Sequence, residues 1–315
     1  SNHTNEFGDI TASGGNNALE ALSVDTADAD SNVSIDTVDA IFSGDGSETN
    51  IFTANLSGEG DITIDGVNGL DFDNAGTDVD ELAITSNAGG ARTVAVNGDT
   101  PGNLADQGVT IDGDGDLTLA ANESALDGLT VDASNSDGSV TVQVQDALGT
   151  DNTIDAANIS NVDTFEFAGG AGSGTGGTVS NLASGIELQF TGNFVGQNFT
   201  FDNANVDSLD VIIDATDTPT NVVNGNMVNF DAQTTVNLAT TGNNNVNFAN
   251  VLSADNLETL NINADAGGAT DIGNITARQG ADPLNVNDTD INVDGSDAVT
   301  INQYDLNTDN QRLNL

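Results

Sequence analysis

The sequence predicts an all-β chain: an elongated, degenerate parallel β-solenoid (β-helix) with coils of about 20–24 residues, with tandem β-sandwich domains as the alternative. Three observations predict it. β-Branched residues are in excess, short runs alternate apolar and polar residues before ending in an acid or amide, and a second short unit is copied upstream of those runs.

The 315 residues include 26 Val, 22 Leu, 18 Ile and 12 Phe. These core formers are about a quarter of the chain, above the roughly 20% below which a highly charged chain stays unfolded. Val and Ile outnumber Leu two to one, while Gly, Asn, Asp and Thr crowd the remainder, so strands and turns are favoured over helices. Helical periodicity is confined to Ala18 to Leu22 and Ala249 to Leu257, both shorter than a typical helix.

Ile62-Thr63-Ile64-Asp65-Gly66 is the clearest alternating run. Val109-Thr110-Ile111-Asp112-Gly113, Leu129-Thr130-Val131-Asp132-Ala133 and Ile291-Asn292-Val293-Asp294-Gly295 repeat it, with Leu22-Ser23-Val24-Asp25 and Leu260-Asn261-Ile262-Asn263-Ala264 as variants. A period of two puts the aliphatic pair on one strand face, and the Asp-Gly or Asp-Ala closes the strand with a turn. The second unit is an apolar residue, an acid and a variable residue before a strand, as in Leu19-Glu20-Ala21, Val79-Asp80-Glu81, Leu126-Asp127-Gly128, Val162-Asp163-Thr164, Val206-Asp207-Ser208 and Leu257-Glu258-Thr259. Six copies mark one structural element repeated along the chain. The only strong punctuation is the glycine-rich stretch from Gly169 to Gly177, a loop or soft boundary between β-repeat regions 1–168 and 178–315.

Fifty acidic residues against three arginines and no lysine give a formal charge of −47. Arg92, Arg278 and Arg312 cannot form a basic groove, which excludes nucleic acid as a partner and disfavours an anionic membrane surface. No run of about 18 apolar residues exists, so no membrane insertion is expected. Without cysteine there is neither a disulfide nor a thiolate metal site. The chain starts at Ser1 rather than Met, so an upstream segment is expected to have been removed or to lie outside this sequence.

Enzyme signatures are sparse: His3 is the single histidine, and Lys and Cys are missing, so the usual general bases, Schiff-base amines and thiolates are not supplied. The chain is not expected to be an enzyme. A polysaccharide-acting β-helix enzyme is the least favoured reading, because it needs Arg beside several carboxylates and because Trp is absent and Tyr304 is the only tyrosine.

Calcium is the ligand for which the residues supply most material, since hard cations take six to eight oxygens. Asp112, Asp114, Asp116 and Glu123 reproduce the spacing of positions 1, 3, 5 and 12 of an EF-hand loop, although Leu117 stands where glycine belongs. Further candidates are Asp71, Asp73, Asp78 and Asp80, then Asp290 and Asp294. If acids occupied equivalent turns of successive coils they would lie about 4.8 Å apart, a row of like charges that calls for counter-ions. A solvated acidic surface is the plainer alternative. The phenylalanines, concentrated at Phe190, Phe194, Phe199 and Phe201 and paired at Phe165 and Phe167, are expected to stack in the core. An exposed patch within residues 190–201, meeting a neighbouring copy, is the other possibility.

Asn256-Leu257-Glu258-Thr259-Leu260-Asn261-Ile262-Asn263-Ala264 and Asn161-Val162-Asp163-Thr164-Phe165-Glu166-Phe167 resemble repeat units of large bacterial surface-layer and adhesin proteins exported by type I secretion. That resemblance implies a secreted, extracellular, calcium-binding β-rich protein that self-assembles on the cell surface. The family's calcium nonapeptide, GGxGxDxUx, is not met: in Gly169-Gly170-Ala171-Gly172-Ser173-Gly174 the last glycine stands in place of the ligand aspartate. The functional expectation is an extracellular structural protein, assembling with copies of itself into a surface layer, sheath or filament and stabilised by Ca2+ on acidic turns. The alternative is a calcium-dependent adhesin or passenger segment that binds a surface glycan.

Overall fold

The computed structural model describes residues 3–11, 19–39, 51–71, 81–96, 108–127, 129–145, 152–168, 177–192, 194, 198–203, 206–215, 220–222, 227–230, 232–254, 256–265, 268–277, 289–306 and 312–314. They form a parallel β-solenoid in which the chain alternates between two faces and strands pair in parallel with the second or third strand further along the chain. Two compact units result: residues Ser1–Gln143 with Asn158–Asp163, and Val144–Ala157 with Thr164–Leu315. Of the glycine-rich stretch, Gly177 opens the strand Gly177–Ser180, and the rest lies outside the described residues.

In the N-terminal unit one face is built from Ser31–Asp39, Ile62–Asp71, Arg92–Ala95 and Leu117–Ala121. The second comprises Ala21–Thr26, Ile51–Gly58, Glu81–Ser86, Gly108–Gly113, Thr130–Ser136 and Ile159–Ser160. The segment His3–Phe7 is a strand of its own chain, in register with Ser31 to Ile35. In the C-terminal unit the first sheet runs through Thr164–Phe167, Glu187–Phe190, Ser208–Ala215, Thr235–Gly242, Thr259–Ala264, Asp290–Gly295 and Arg312–Asn314. Its second sheet includes Gly177–Ser180, Phe199–Asp202, Val246–Ala254, Thr270–Ala277 and Val299–Leu306.

Registers give the coil length directly. Phe165 faces Leu188, 23 residues on, and Val236 faces Leu260, 24 residues on. These match the coil expected from the sequence, whereas Ile62 to Arg92 spans 30 residues and Leu260 to Ile291 spans 31, because longer turns are inserted between strands of constant register.

The alternating runs bury their aliphatic residues as period two requires: Leu82 and Ile84, Ile62 and Ile64, and Val140 and Val142 are all 0–1% exposed. The apolar member of the upstream unit fills the corner before a strand, with Leu126, Val162, Val206 and Leu257 at 5% exposure or less. In the C-terminal unit the core is aromatic. Phe167 and Phe190 stack with centroids 5.1 Å apart, and Phe199 and Phe201 meet both of them edge-on. Every phenylalanine of the 190–201 cluster is at most 1% exposed, so that cluster is core and not a patch for a neighbouring copy.

The run Ile62-Thr63-Ile64-Asp65-Gly66 does not close its strand, which continues to Asp71, but the Asp-Gly endings at Gly113 and Gly295 have a steric cause. Gly113 has φ 108°, and a Cβ there would run into the carbonyl of Ser86 on the preceding coil. Only glycine combines the positive φ with so close an approach. The substitution Gly113→Ala is expected to destabilise the N-terminal unit by about 1–3 kcal/mol, read from the denaturant midpoint, whereas Gly108→Ala, where a Cβ meets nothing, leaves it near the parent value.

Candidate functional site

The four residues of the EF-like spacing do not converge. Asp112 is the last residue but one of the strand Gly108–Gly113, and its Oδ1 accepts the N–H of its neighbour Gly113. The Asp114 carboxylate accepts the Ala88 N–H at 2.7 Å, and that of Asp116 accepts the Ser139 N–H at 2.9 Å, so the two are tied to different coils. Leu117–Ala121 is a strand, and Glu123, in the short helix Glu123–Leu126, is only 3% exposed. A strand at the sixth position keeps the chain from wrapping round an ion.

The remaining candidates are also dispersed. Asp71 ends the strand Ile62–Asp71, is 7% exposed and stands opposite Asp39. Asp73, Asp78 and Asp80 lie outside the described residues. Asp290 and Asp294 occupy one strand four residues apart, which places their Cα atoms about 13 Å from each other. One Asp290 carboxylate oxygen is buried without a hydrogen-bond partner, while the exposed Asp294 accepts the N–H of Gly295. Among the described residues no group of three or more His, Asp or Glu side chains is arranged to hold a metal ion.

What the turn acids do is bond the backbone of a neighbouring coil, the following one for Asp61 and Asp265 and the preceding one for Asp114 and Asp163. Ala91 N–H donates to Asp61 Oδ1 at 2.9 Å, 30 residues away, and Asp61 N–H donates to Asn32 Oδ1 at 3.0 Å. Val140 N–H donates to Asp163 Oδ2 at 2.8 Å. In the C-terminal unit Ala269 N–H donates to Asn245 and Ser296 N–H to Asp265. A corner leaves an N–H that neither sheet can pair, and a short Asp or Asn side chain one coil away reaches it.

Acids are also separated along the strand columns. Asp25 faces Ser57, Asp112 lies between Thr85 and Asn135, Asp132 between Thr110 and Ser160, and Asp294 faces Asn263. The expected row of stacked like charges is therefore absent at these motif ends. Hydrogen bonds hold the Asp132 carboxyl below its usual range, from Ser134 first, and the Asp155 carboxyl likewise, from Asn181 first. Among the described registers two place acid on acid, Asp39 on Asp71 and Glu187 on Asp210. Burial first, and then the Asp210 charge, pushes the Glu187 carboxyl above its usual range.

Arg92 is 1% exposed, and its guanidinium donates to the carbonyls of Gly58, Gly60, Gly90 and Ala91. Burial lowers its pKa against the opposing pull of Asp61. It closes off backbone carbonyls at a corner and is not set in a cleft of carboxylates. Arg278 and the Arg312 side chain lie outside the described residues.

A groove of about 730 Å³ lies over the first sheet of the C-terminal unit, which sequence reasoning did not single out. Its floor is an amide ladder: Asn292 Nδ2 donates to Asn261 Oδ1 at 2.8 Å, Asn261 Nδ2 to Asn237 Oδ1 at 2.7 Å, and Asn237 Nδ2 to Asp210 Oδ1 at 2.6 Å. A sequence signal for it exists, an asparagine between two aliphatic residues, in Val236-Asn237-Leu238, Leu260-Asn261-Ile262 and Ile291-Asn292-Val293. Asp265 and Asp294 also line the groove.

No family model, curated protein or solved structure matches this chain. Among the described residues no helix is long and apolar enough to cross a membrane.

Glu187 yields a signed pH prediction. Below its ordinary pKa of 4.5 it is protonated in folded and unfolded chains alike; as pH rises from there through the raised folded value, the unfolded chain gains stability by ionising first. Glu187→Gln is therefore expected to stabilise the C-terminal unit at pH 7 by a few tenths to about 1 kcal/mol and to leave it unchanged at a pH below 4.5, as read from denaturation midpoints at the two pH values.

Proposed function

We propose that this chain is an extracellular structural protein that assembles with copies of itself into a surface layer, sheath or filament, with calcium bridging the acidic exteriors of adjoining copies. The observation that carries the reading is the placement of the carboxylates. Within the ladder they are mostly spaced by Ser, Thr and Asn, so a single copy relieves most of its own repulsion, while the chain keeps a formal charge of −47 with almost no cation to offset it. Two such surfaces repel on approach unless counter-ions lie between them, and a divalent ion that coordinates carboxylates from both sides does this best. Asp116 and Asp265 support the same division of labour, because each accepts a backbone N–H of a neighbouring coil through Oδ1 and a carboxylate has lone pairs beyond that one bond with which to meet an ion.

The second reading, an adhesin or passenger segment that contacts a surface glycan, is favoured by one observation, the polar groove over the C-terminal unit. A polysaccharide-acting enzyme has less support, since Arg92 is engaged with backbone carbonyls.

A calcium titration of EDTA-stripped protein, followed by circular dichroism and light scattering with magnesium and matched ionic strength as controls, separates these readings. The assembly reading predicts large particles at micromolar to millimolar Ca2+, with little change in the circular dichroism of the already stacked coils. Equal growth in any salt of the same ionic strength, or no growth at all, contradicts it.

A further inference from the structure

We propose that the groove over the first sheet of the C-terminal unit binds a neutral, straight-chain polysaccharide of β-1,4-linked hexoses, laid across the strands along the asparagine ladder. The inference stands independently of calcium-driven assembly.

Three observations carry it. First, Asn237, Asn261 and Asn292 occupy one column of three successive strands, and the register is unbroken from Thr235 to Thr259 to Asp290. The ladder is consequently straight, with a step of about 4.8 Å. A ribbon-like β-1,4 chain stays straight over several such steps, whereas an α-1,4 glucan coils away from the line.

Second, the amides are locked before any ligand arrives. They are joined head to tail at 2.7 and 2.8 Å and anchored on Asp210. A primary amide has two N–H groups and two carbonyl lone pairs, and Asn261 uses one of each within the ladder. What is left is a donor beside an acceptor with rotamers already fixed, which removes part of the ordering cost of binding. Sugar hydroxyls donate and accept at once and so match this pattern.

Third, the rim selects against negative charge. Asp265 and Asp294 flank the ladder, each held by a backbone N–H, so an anionic polymer is repelled. The volume of about 730 Å³ falls within the range of small-molecule clefts. Among the described residues no aromatic ring lines the groove, so the affinity rests on hydrogen bonds and the expected Kd is in the millimolar range.

The test is titration of the full chain with cellohexaose in EDTA, by calorimetry and by amide chemical shifts, with maltohexaose as the coiled comparison. Saturable binding of cellohexaose, at least about tenfold tighter than maltohexaose, is expected, with about tenfold loss in Asn261→Ala. A second variant, Ala239→Trp, fills the groove without removing a ladder amide and should abolish binding. Thr200→Ala, on the other sheet of the unit, should bind as the parent. No saturable binding of cellohexaose overturns the proposal. So does equal binding of the two sugars, or parent-like affinity in a folded Ala239→Trp chain.

Discussion

In-register parallel stacking is the constraint on which everything else in this molecule depends. Each residue faces its counterpart one coil away, so any choice made at one position is imposed again about 4.8 Å further on. Inward columns tolerate this easily, because Leu, Val, Ile and Phe pack on their own kind, as the stacked Phe167 and Phe190 rings do. Outward columns tolerate repeated charge poorly, and among the described registers only Asp39 on Asp71 and Glu187 on Asp210 carry it. A chain with 50 acids and three arginines stacks with least repulsion where carboxylates are interleaved with neutral polar groups, and the columns through Asp25, Asp112, Asp132 and Asp294 are built that way.

The same constraint explains why Asp and Asn crowd the corners. A strand-to-strand corner turns its N–H groups out of the ladder, and an unpaired N–H near the surface of a tightly stacked fold is costly. The side chain one coil away is at the right distance to accept it, and only a short carboxylate or amide keeps the geometry. Asn32, Asp61, Asp116 and Asp265 all serve in this role. A carboxylate accepting an N–H is the stronger acceptor, which gives a physical reason for acids at these positions beyond any ion they meet.

Much of the fold was legible in the sequence, and the reason is periodicity. Alternation exposed the strands, the Asp-Gly endings at Gly113 and Gly295 marked where the chain takes positive φ, and the apolar residue of the upstream unit proved to be the corner plug seen at Val162, Val206 and Leu257, whereas Asp65-Gly66 and Asp132-Ala133 close no strand, because theirs run on to Asp71 and Ser136. The phase of the repeat was not legible. Ile62-Thr63-Ile64 belongs to one face of the coil and Val109-Thr110-Ile111 to the other, so intervals between similar motifs mix half-coils with whole ones. The chemistry of the acids was hidden for a related reason. Asp112, Asp114 and Asp116 look like a ligand set when read along the chain, yet Asp114 and Asp116 point to Ala88 and Ser139, N–H groups 26 and 23 residues away. The asparagine ladder was overlooked because isolated Asn residues in strands carry little signal until the register aligns them.

The most direct test of this account is hydrogen exchange at the amides of Ala88, Ala91, Ser139 and Ser296 in calcium-free protein. These amides sit at exposed corners, where protection arises only from a side-chain acceptor on the neighbouring coil. Slow exchange at all four in EDTA, comparable with the flanking strands, is the predicted result. Exchange at the rate of unstructured peptide, with protection appearing only on addition of Ca2+, would contradict it and return the corner carboxylates to the role of ion ligands.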